Sequence, residues 1–285
     1  MRIAMATRFA LFLAGTTLIA PAQRLVQMTG ASRAFLLPLL FHRMVLKVLR
    51  IRVEVSGAPV ADGPVLVIAN HISWLDIPVI GSICPLVFVA KKSVAGWPGF
   101  GWLATLQYTI FVDRDRRRSA GSDGAQIAER LALGDRVVLF AEGTSNDANR
   151  VLPFKSALVG AVLAGAGEVP VQPMTIVYTR RGGLPLNRAQ RPSVAWYGDM
   201  PLIPHLLGVF AARPFDVSIV IGEPIDVAAA GGRKPVTEAA WREVAATAAL
   251  VRNGLPAPAR YSHDDANRLT KAQGSGFADG EKAVA

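Results

Sequence analysis

Short apolar runs alternate with amphipathic stretches along most of the chain. Several runs are apolar at almost every position, which is typical of strands that are covered on both faces of a sheet. We predict strands at residues 64–70, 85–91, 109–114, 136–143, 169–178, 193–199 and 215–222. Helices are predicted near residues 75–83, 98–107, 119–133, 155–166 and 237–253. This alternation predicts an α/β fold with a mostly parallel mixed sheet that is flanked by helices.

The N-terminal part of the chain has a different pattern. An apolar stretch at residues 9–20 follows two arginines, and residues 34–53 repeat their apolar positions at three- and four-residue spacing. We predict a membrane-associating helical segment here, with the second stretch lying as an amphipathic helix in the lipid interface. Two alternatives stay open. Ala20-Pro21-Ala22 has the small residues of a signal-peptide cleavage site, and the second stretch has the periodicity of an ordinary helix that faces a core.

These patterns divide the chain into three parts. Residues 1–55 form the predicted membrane-anchoring segment, and residues 56–255 are long enough for one α/β domain with its own core. Residues 256–285 are rich in alanine, glycine and polar residues and lack periodicity, so we predict that they are disordered. Hydrophobic residues make up 51% of the 285 positions. This share is high for a soluble enzyme and suits a protein that sits on or partly in a bilayer.

Charge and cysteine content narrow the possible partners and sites. The formal net charge is +10, and residues 1–60 carry eight arginine or lysine side chains against one acidic side chain. These charges are interleaved with apolar runs, which favours an anionic lipid surface over a nucleic-acid groove. Cys84 is the one cysteine in the sequence, so an internal disulfide and a cysteine-based zinc site are excluded. We predict that Cys84 lies in the core, in a helical stretch.

The first candidate for chemistry is the heptapeptide Asn70-His71-Ile72-Ser73-Trp74-Leu75-Asp76. It follows an apolar strand, so His71 is expected at the accessible end of that strand. A histidine can take up and release a proton near neutral pH, and a carboxylate five residues later can reach back to orient its ring. The hydroxyl of a substrate can then be the nucleophile. The alternative is a helix cap in which the histidine is incidental.

Two further stretches place polar residues at predicted strand ends. Glu142, Gly143 and Thr144 follow the strand that contains Val138, and glycine there allows a tight turn whose backbone N–H groups approach a ligand. Arg114 ends another strand and offers a planar fork for a phosphate or carboxylate. Each signal is weak alone, because the first is also typical of a turn and the second of a solvated charge run.

The order of these motifs is more specific than any one of them. Followed by Val169-Pro170-Val171-Gln172-Pro173, they resemble the glycerolipid acyltransferase family, typified by 1-acylglycerol-3-phosphate acyltransferases, over roughly residues 60–225. The resemblance implies that His71 and Asp76 form a catalytic dyad. It implies a substrate-binding group as well: Arg114, Glu142, Gly143, Thr144, Ser73 and Lys155. The family's acyl donors are thioesters of acyl carrier protein or coenzyme A, its acceptors are lysolipids, and no metal or bound cofactor is implied.

One departure points to a particular branch of that family. Members that use a phosphate acceptor usually carry arginine after Glu-Gly-Thr, whereas this chain has Ser145. Residues 142–156 and 196–200 resemble the bacterial lyso-ornithine lipid acyltransferases, whose acceptor has no phosphate. We therefore expect lyso-ornithine lipid as acceptor, with lysophosphatidate as the alternative. We further expect a location at the inner, cytoplasmic membrane with the active site on the cytoplasmic side.

Three rival functions account for fewer of these features. A serine hydrolase needs a G-x-S-x-G elbow, which the sequence lacks. The glycines of residues 99–104 match a dinucleotide motif only weakly, because Trp97 and Pro98 precede them in place of a strand. A basic membrane- or nucleic-acid-binding module explains the net charge but leaves the order of the His-Asp and Glu-Gly-Thr motifs unexplained. We expect no nucleic-acid partner.

Overall fold

The computed structural model describes residues 2–30, 35–59, 63–113, 120–167 and 169–257. The predicted disordered tail lies outside these ranges except for its first two residues. Within them, the helices are Arg2–Met28 (α1), Leu36–Leu49 (α2), Asp76–Gly81 (α3), Lys92–Ala95 (α4), Phe100–Leu106 (α5), Ala120–Ala132 (α6), Ser156–Ala166 (α7), Leu202–Ala211 (α8) and Arg233–Arg252 (α9). The strands are Ile51–Ser56 (β1), Val65–Ala69 (β2), Val87–Lys91 (β3), Ile110–Val112 (β4), Arg136–Phe140 (β5), Val171–Arg181 (β6), Leu184–Pro185 (β7) and Phe215–Ile221 (β8).

All eight strands belong to one sheet. Its order is β1-β8-β6-β2-β5-β3-β4, and β7 forms a hairpin with β6. Strands β2 to β6 are parallel, whereas β8 is antiparallel to β6 and β1 follows the direction of β8. The prediction of a mostly parallel mixed sheet flanked by helices is therefore confirmed. In the register, Ala69 lies beside Phe140 on one side and Met174 on the other, so the ends of β2 and β5 meet at one edge beside β6.

Helices cover both faces of the sheet, and the central strand β2 shows why its sequence is apolar throughout. Val65, Val67 and Ala69 belong to a core cluster with residues of α2, α3 and α8. Leu66 and Ile68 point to the opposite face and join a cluster with residues of α6 and α7. Because successive side chains of a strand point to opposite faces, a strand between two helical layers buries every residue.

The predicted strand at residues 193–199 is wrong. The chain forms a 3-10 turn at Arg191–Ser193 and continues as a loop. Val194 and Ala195 are buried there, and the Trp196 N–H donates to the carbonyl oxygen of Ile72 at 3.0 Å. The apolar residues that suggested a strand are therefore buried because this loop packs against the turn after β2.

Strand β1 and helix α8 are among the elements that the sequence did not predict. The first three residues of β1 fall in the stretch 34–53, for which the apolar periodicity predicts a helix. Helix α2 ends at Leu49, its cap Arg50 has a left-handed conformation (φ 59°), and β1 begins at the next residue and pairs with β8. No glycine or proline marks this boundary in the sequence. Helix α8 was not predicted either, although its residues are mostly apolar. Cys84 is buried as predicted, but in the turn after α3.

Helix α1 is continuous through Pro21 and packs against the rest of the molecule. Arg8 Nη1 donates to the carbonyl oxygens of Phe210 and Ala212 at 3.0 and 3.1 Å, and the Phe12 ring meets Phe210 edge-on. Most of the helix is nevertheless uncovered. Its residues 3–28 are long and apolar enough to cross a membrane, and 6% of that apolar window is buried. Helix α1 thus combines specific contacts with the domain and a large free apolar surface.

This surface predicts that α1 holds the protein at a membrane. Leu11, Leu18 and Leu25 are spaced by seven residues, so they lie on one stripe of the helix, and Leu18 is 72% exposed. Burial of one such side chain contributes about 1.5–3 kcal/mol. We expect Leu18→Glu to lower membrane partitioning by about tenfold or more, measured as the protein that remains with membranes after an alkaline carbonate wash.

The matched control is Leu133→Glu, because Leu133 is 69% exposed in the turn after α6. It should leave the membrane-bound fraction unchanged. Equal retention of both variants at the wild-type level would contradict the assignment of α1 as the membrane contact.

Candidate active site

The candidate base His71 lies in the loop that joins β2 to α3 (residues 70–75), which we call the catalytic loop, and Asp76 is the first residue of α3. Asn70 starts this loop and ties it to the neighbouring strand, since its Nδ2 donates to the carbonyl oxygen of Ile176 at 3.0 Å and its Oδ1 accepts from the Ile176 N–H at 2.8 Å. The side chain thus pairs with β6 as a strand backbone would. This pairing fixes the start of the loop at the edge where β2 and β5 end beside β6.

His71 and Asp76 are in direct contact. His71 Nδ1 lies 2.8 Å from Asp76 Oδ2. Because a carboxylate only accepts hydrogen bonds, this contact assigns the proton to Nδ1 and leaves the lone pair on Nε2 of His71. The His71 side chain is 18% exposed, whereas the Asp76 side chain is completely buried. Asp76 therefore lies inside the protein, whereas part of the His71 ring is accessible to solvent.

Three more donors hold the Asp76 carboxylate. The backbone N–H groups of Ile72 and Ser73 donate to Oδ2 at 2.7 and 3.0 Å, and the Tyr178 hydroxyl donates to Oδ1 at 2.9 Å. Burial, together with the charge and hydrogen bond of Asp76, raises the pKa of Tyr178 well above its usual range. The phenol therefore stays protonated as a donor. Tyr178 was missed by sequence reasoning, because only the sheet topology brings residue 178 beside residue 76.

Aromatic rings fix the plane of the histidine. The His71 ring stacks on Phe140 with 4.1 Å between centroids and 18° between planes, and Phe140 stacks in turn on Phe88. Phe140 is the last residue of β5, so the neighbouring strand supplies the surface against which the imidazole rests. Ring stacking and the Asp76 bond together leave His71 one orientation.

Glu142 lies below the site and contacts its loops. Its side chain is buried, with 1% exposed. Oε1 accepts a hydrogen bond from the His71 backbone N–H at 2.9 Å. Oε2 accepts hydrogen bonds from Asn146 Nδ2 at 2.6 Å and from the Leu152 backbone N–H at 3.1 Å. Asn146 also donates through its own N–H to the carbonyl oxygen of His71. Burial raises the pKa of Glu142 to about 7, while these hydrogen bonds act in the opposite direction. The carboxylate thus joins the two loops that follow β2 and β5.

The other predicted binding residues occupy different positions around this centre. Gly143 has a φ of 75°, and a side chain there would meet Lys155, whose Nζ lies 2.9 Å from the expected Cβ position. Thr144 is exposed, and Ser73 is fully buried with an Oγ that has no partner among the described residues. Arg114 lies outside the described residues.

Ser145 connects the loop after β5 to the segment that follows the 3-10 turn. Its Oγ donates to the carbonyl oxygen of Trp196, and the Trp196 N–H donates to Ile72 in the catalytic loop. Three loops are therefore linked in series at this edge. The short hydroxyl side chain fits a position that is half-buried between them.

An apolar cavity of about 200 Å³ opens beside the catalytic loop. Trp74 and Phe88 line it together with residues of β3 and of helices α1, α2, α3, α4, α5 and α8. His42 is one polar group in this wall; it bonds to Gln107 at 2.8 Å, and burial lowers the pKa of His42 to about 4. The imidazole is therefore neutral near pH 7 and adds no charge to the cavity.

Nucleophilic and metal-binding alternatives gain no geometric support in the described part of the chain. Burial raises the pKa of the Cys84 thiol to about 11, which disfavours the thiolate. Among the described residues, no three histidine, cysteine, aspartate or glutamate side chains converge as a metal site would require. The arrangement can instead remove a proton from a bound hydroxyl at Nε2 of His71 and stabilise the resulting imidazolium through Asp76.

The chain is similar to known acyltransferases. The family model described as Acyltransferase matches residues 50–177. The lyso-ornithine lipid O-acyltransferase of Brucella abortus is 43% identical over 227 residues, which cover 77% of this chain and 85% of the relative. That of Rhizobium meliloti is 44% identical over 206 residues, 70% of each chain. The crystal structure of the 1-acyl-sn-glycerophosphate acyltransferase from Thermotoga maritima has a TM-score of 0.62 at 23% identity, covering 92% of this chain and 99% of that one, and shares the fold.

The raised pKa of Glu142 predicts how stability depends on pH. The folded protein holds this proton more tightly than the unfolded chain, because the pKa rises from 4.5 to about 7. The contribution to stability is therefore fully present below pH 4.5 and is lost as the pH rises through 7. One pKa unit corresponds to about 1.4 kcal/mol, so the loss is on the order of 3 kcal/mol at most.

We expect the thermal midpoint of the wild type, measured in detergent, to fall more between pH 5 and pH 8 than that of Glu142→Gln. The control is Glu238→Gln, which removes an exposed carboxylate that pairs with Arg242 on α9 and should keep the wild-type dependence. Parallel pH profiles for the wild type and Glu142→Gln would show that Glu142 does not titrate in this range.

Proposed function

This chain belongs to the acyltransferase family, and we propose that it transfers a fatty acyl group from a thioester to the free hydroxyl of lyso-ornithine lipid. The product is the O-acylated ornithine lipid. The observation that carries the reaction type is the contact between His71 and the buried Asp76, which leaves Nε2 of His71 as a base at the edge of the sheet. The similarity to lyso-ornithine lipid O-acyltransferases over most of both chains supports the choice of acceptor.

In the proposed mechanism, His71 is the general base. Nε2 takes the proton of the acceptor hydroxyl while the oxygen attacks the thioester carbonyl carbon. Asp76 stabilises the imidazolium through the bond to Nδ1, and its four hydrogen bonds keep the carboxylate in place. The tetrahedral intermediate then collapses, the carbon–sulfur bond breaks, and the imidazolium returns its proton to the thiolate. The balance is one ester and one thiol, with no further reactant.

The donor in this proposal is a thioester of acyl carrier protein or coenzyme A. The apolar cavity beside the catalytic loop suits its fatty acyl chain, since Trp74 lies both in that loop and in the cavity wall. Trp74 Nε1 donates to His205 Nδ1 at 3.0 Å, so α8 holds this indole in position. A chain that enters the cavity would therefore have its thioester end near the base.

The residue at position 145 favours the aminolipid acceptor. Position 145 is occupied by a serine that bonds to Trp196, so it provides no cation for a phosphate. A phosphate monoester carries nearly two negative charges, and burial without a paired cation is costly. Lysophosphatidate remains the second candidate because Lys155 packs against Gly143 and brings one cation to this loop.

The glutamate that follows β5 is buried and shared between loops, so we assign Glu142 a positioning role.

We further propose that the protein works at the inner membrane with its active site facing the cytoplasm. The apolar surface of α1 and the basic residues near it suit an anionic leaflet. Thioesters of acyl carrier protein and coenzyme A are cytoplasmic, so a donor site on that side needs no transport step.

Removal of the base tests the mechanism. His71→Ala should lower kcat by about 10²–10⁴-fold, the usual contribution of general-base catalysis, while circular dichroism stays unchanged. Asp76→Asn should also lower kcat severely, because it favours the wrong imidazole tautomer. Glu238→Gln on the exposed face of α9 serves as the control with wild-type turnover. Near wild-type kcat in His71→Ala would rule out this mechanism.

Parallel assays with two acceptors and one acyl carrier protein donor test the substrate. We expect a higher kcat/KM for lyso-ornithine lipid than for lysophosphatidate. Ser145→Arg should raise lysophosphatidate use by about tenfold, the effect of one charge-assisted hydrogen bond. Ser145→Ala is the matched control, because it also loses the bond to Trp196 but adds no cation. A wild-type preference for lysophosphatidate would make the acceptor assignment wrong.

A further inference from the structure

Arginines from two distant segments meet at the edge of the sheet that carries His71. Arg191 begins the 3-10 turn, and Arg252 is the last residue of α9. Arg191 Nη2 donates to the carbonyl oxygen of Arg252 at 2.9 Å, and its Nη1 makes a long contact of 3.5 Å with Asn149 Oδ1. Arg191 thereby connects the 3-10 turn to the loop after β5 and to the end of α9. We call the three neighbouring arginines here the arginine cluster (Arg188, Arg191 and Arg252).

No ion pair offsets the positive charge of this cluster within the described residues. Among the described residues, none of the three guanidinium groups has a carboxylate within ion-pair distance, although Arg191 and Arg252 are half-buried. Burial lowers the pKa of both groups. The positive charge of Arg188 lowers the pKa of Arg191 further, and the positive charge of Arg191 does the same to Arg252. Asp147 and Glu142 oppose this effect on Arg252. Their oxygens already accept hydrogen bonds, those of Asp147 from Asn149 and those of Glu142 from the two loops that it joins. A buried cation without a partner is unfavourable, so the cluster suits an additional anion.

The cluster borders the catalytic loop. Asn149, which Arg191 contacts, lies three residues after Asn146, and Asn146 donates to the carbonyl oxygen of His71 through both its N–H and its Nδ2. An anion held there would lie next to the loop that carries His71, which is where an acceptor has to place its hydroxyl. In lyso-ornithine lipid, a few bonds separate the reactive hydroxyl from the carboxylate of the amino acid.

We propose that the arginine cluster binds the head-group carboxylate of the acceptor, with Arg252 as the residue that contacts it. This inference rests on the proposed function and adds a binding residue to it. A guanidinium is suited to this role because its planar fork matches both oxygens of a carboxylate. The Arg252 side chain has no hydrogen-bond partner among the described residues, so its donors are free for a ligand. Arg191 serves instead to position the end of α9.

The test compares the free acid of lyso-ornithine lipid with its methyl ester, which keeps the hydroxyl and the ammonium but loses the negative charge. The wild type should prefer the free acid. Arg252→Gln should lower kcat/KM for the free acid by about 10–100-fold, mainly through KM, and leave the methyl ester unchanged. The ratio of the two substrates should therefore approach one. Arg252→Lys, which keeps the charge but not the fork, should lie between.

Arg242→Gln is the matched control, since Arg242 lies on the same helix but is exposed and pairs with Glu238. It should retain the wild-type ratio. A second measurement does not depend on turnover. It is the equilibrium binding of an analogue of lyso-ornithine lipid that lacks the reactive hydroxyl, tested as the free acid and as the methyl ester. Equal use of acid and ester by the active wild type would overturn the carboxylate site and leave the proposed function intact. Equal losses with both substrates in Arg252→Gln would also overturn it. No turnover of either substrate would overturn the acceptor and the site together.

Discussion

The burial of the Asp76 carboxylate is the constraint on which the rest of the site depends. A carboxylate without solvent must receive hydrogen bonds, and here two backbone N–H groups, an imidazole and a phenol provide them. The backbone donors come from Ile72 and Ser73, so the loop after β2 has to curl around the acid that follows it. Tyr178 ties the same acid to β6. The position of His71 is a consequence of this arrangement, because the ring is one of the four donors.

A second buried carboxylate holds the main chain of the same histidine. Glu142 accepts from the His71 N–H, while Asp76 accepts from the His71 ring. Ring and backbone are thus fixed by two acids, one at the start of α3 and one in the loop after β5, and Phe140 supports the ring from the end of β5. The burial of Glu142 costs stability, as its raised pKa indicates. We interpret this cost as the consequence of holding a base at a loop, where a backbone without such bonds would be mobile.

Much of this site could be predicted from the sequence because its key pair is local. His71 and Asp76 are five residues apart after an apolar strand, so the turn between them brings them together. Tyr178 and Arg252 gave no such signal, since only the strand order and the packing of α9 bring them to this edge. The strand predicted at residues 193–199 was wrong for a related reason. Its apolar residues are buried against the loop at Ile72, and a buried loop can have the same apolar composition as a strand.

The two faces of β6 lead to different surroundings, which would separate the acyl chain of the donor from the head group of the acceptor in the proposed reaction. Tyr178 points to the layer formed by α2, α3 and α8, where the apolar cavity lies, and Val177 points to the layer of α9. Acyl transfer between lipids has to bring an apolar chain and a charged head group to one hydroxyl without mixing their surroundings. The sheet provides this separation, because its faces carry an apolar cavity on one side and α9, which ends at the arginine cluster, on the other. His71 lies at the edge of the sheet, between the two faces. In the proposed reaction a base at this position can serve an acyl chain on one face and a head group on the other.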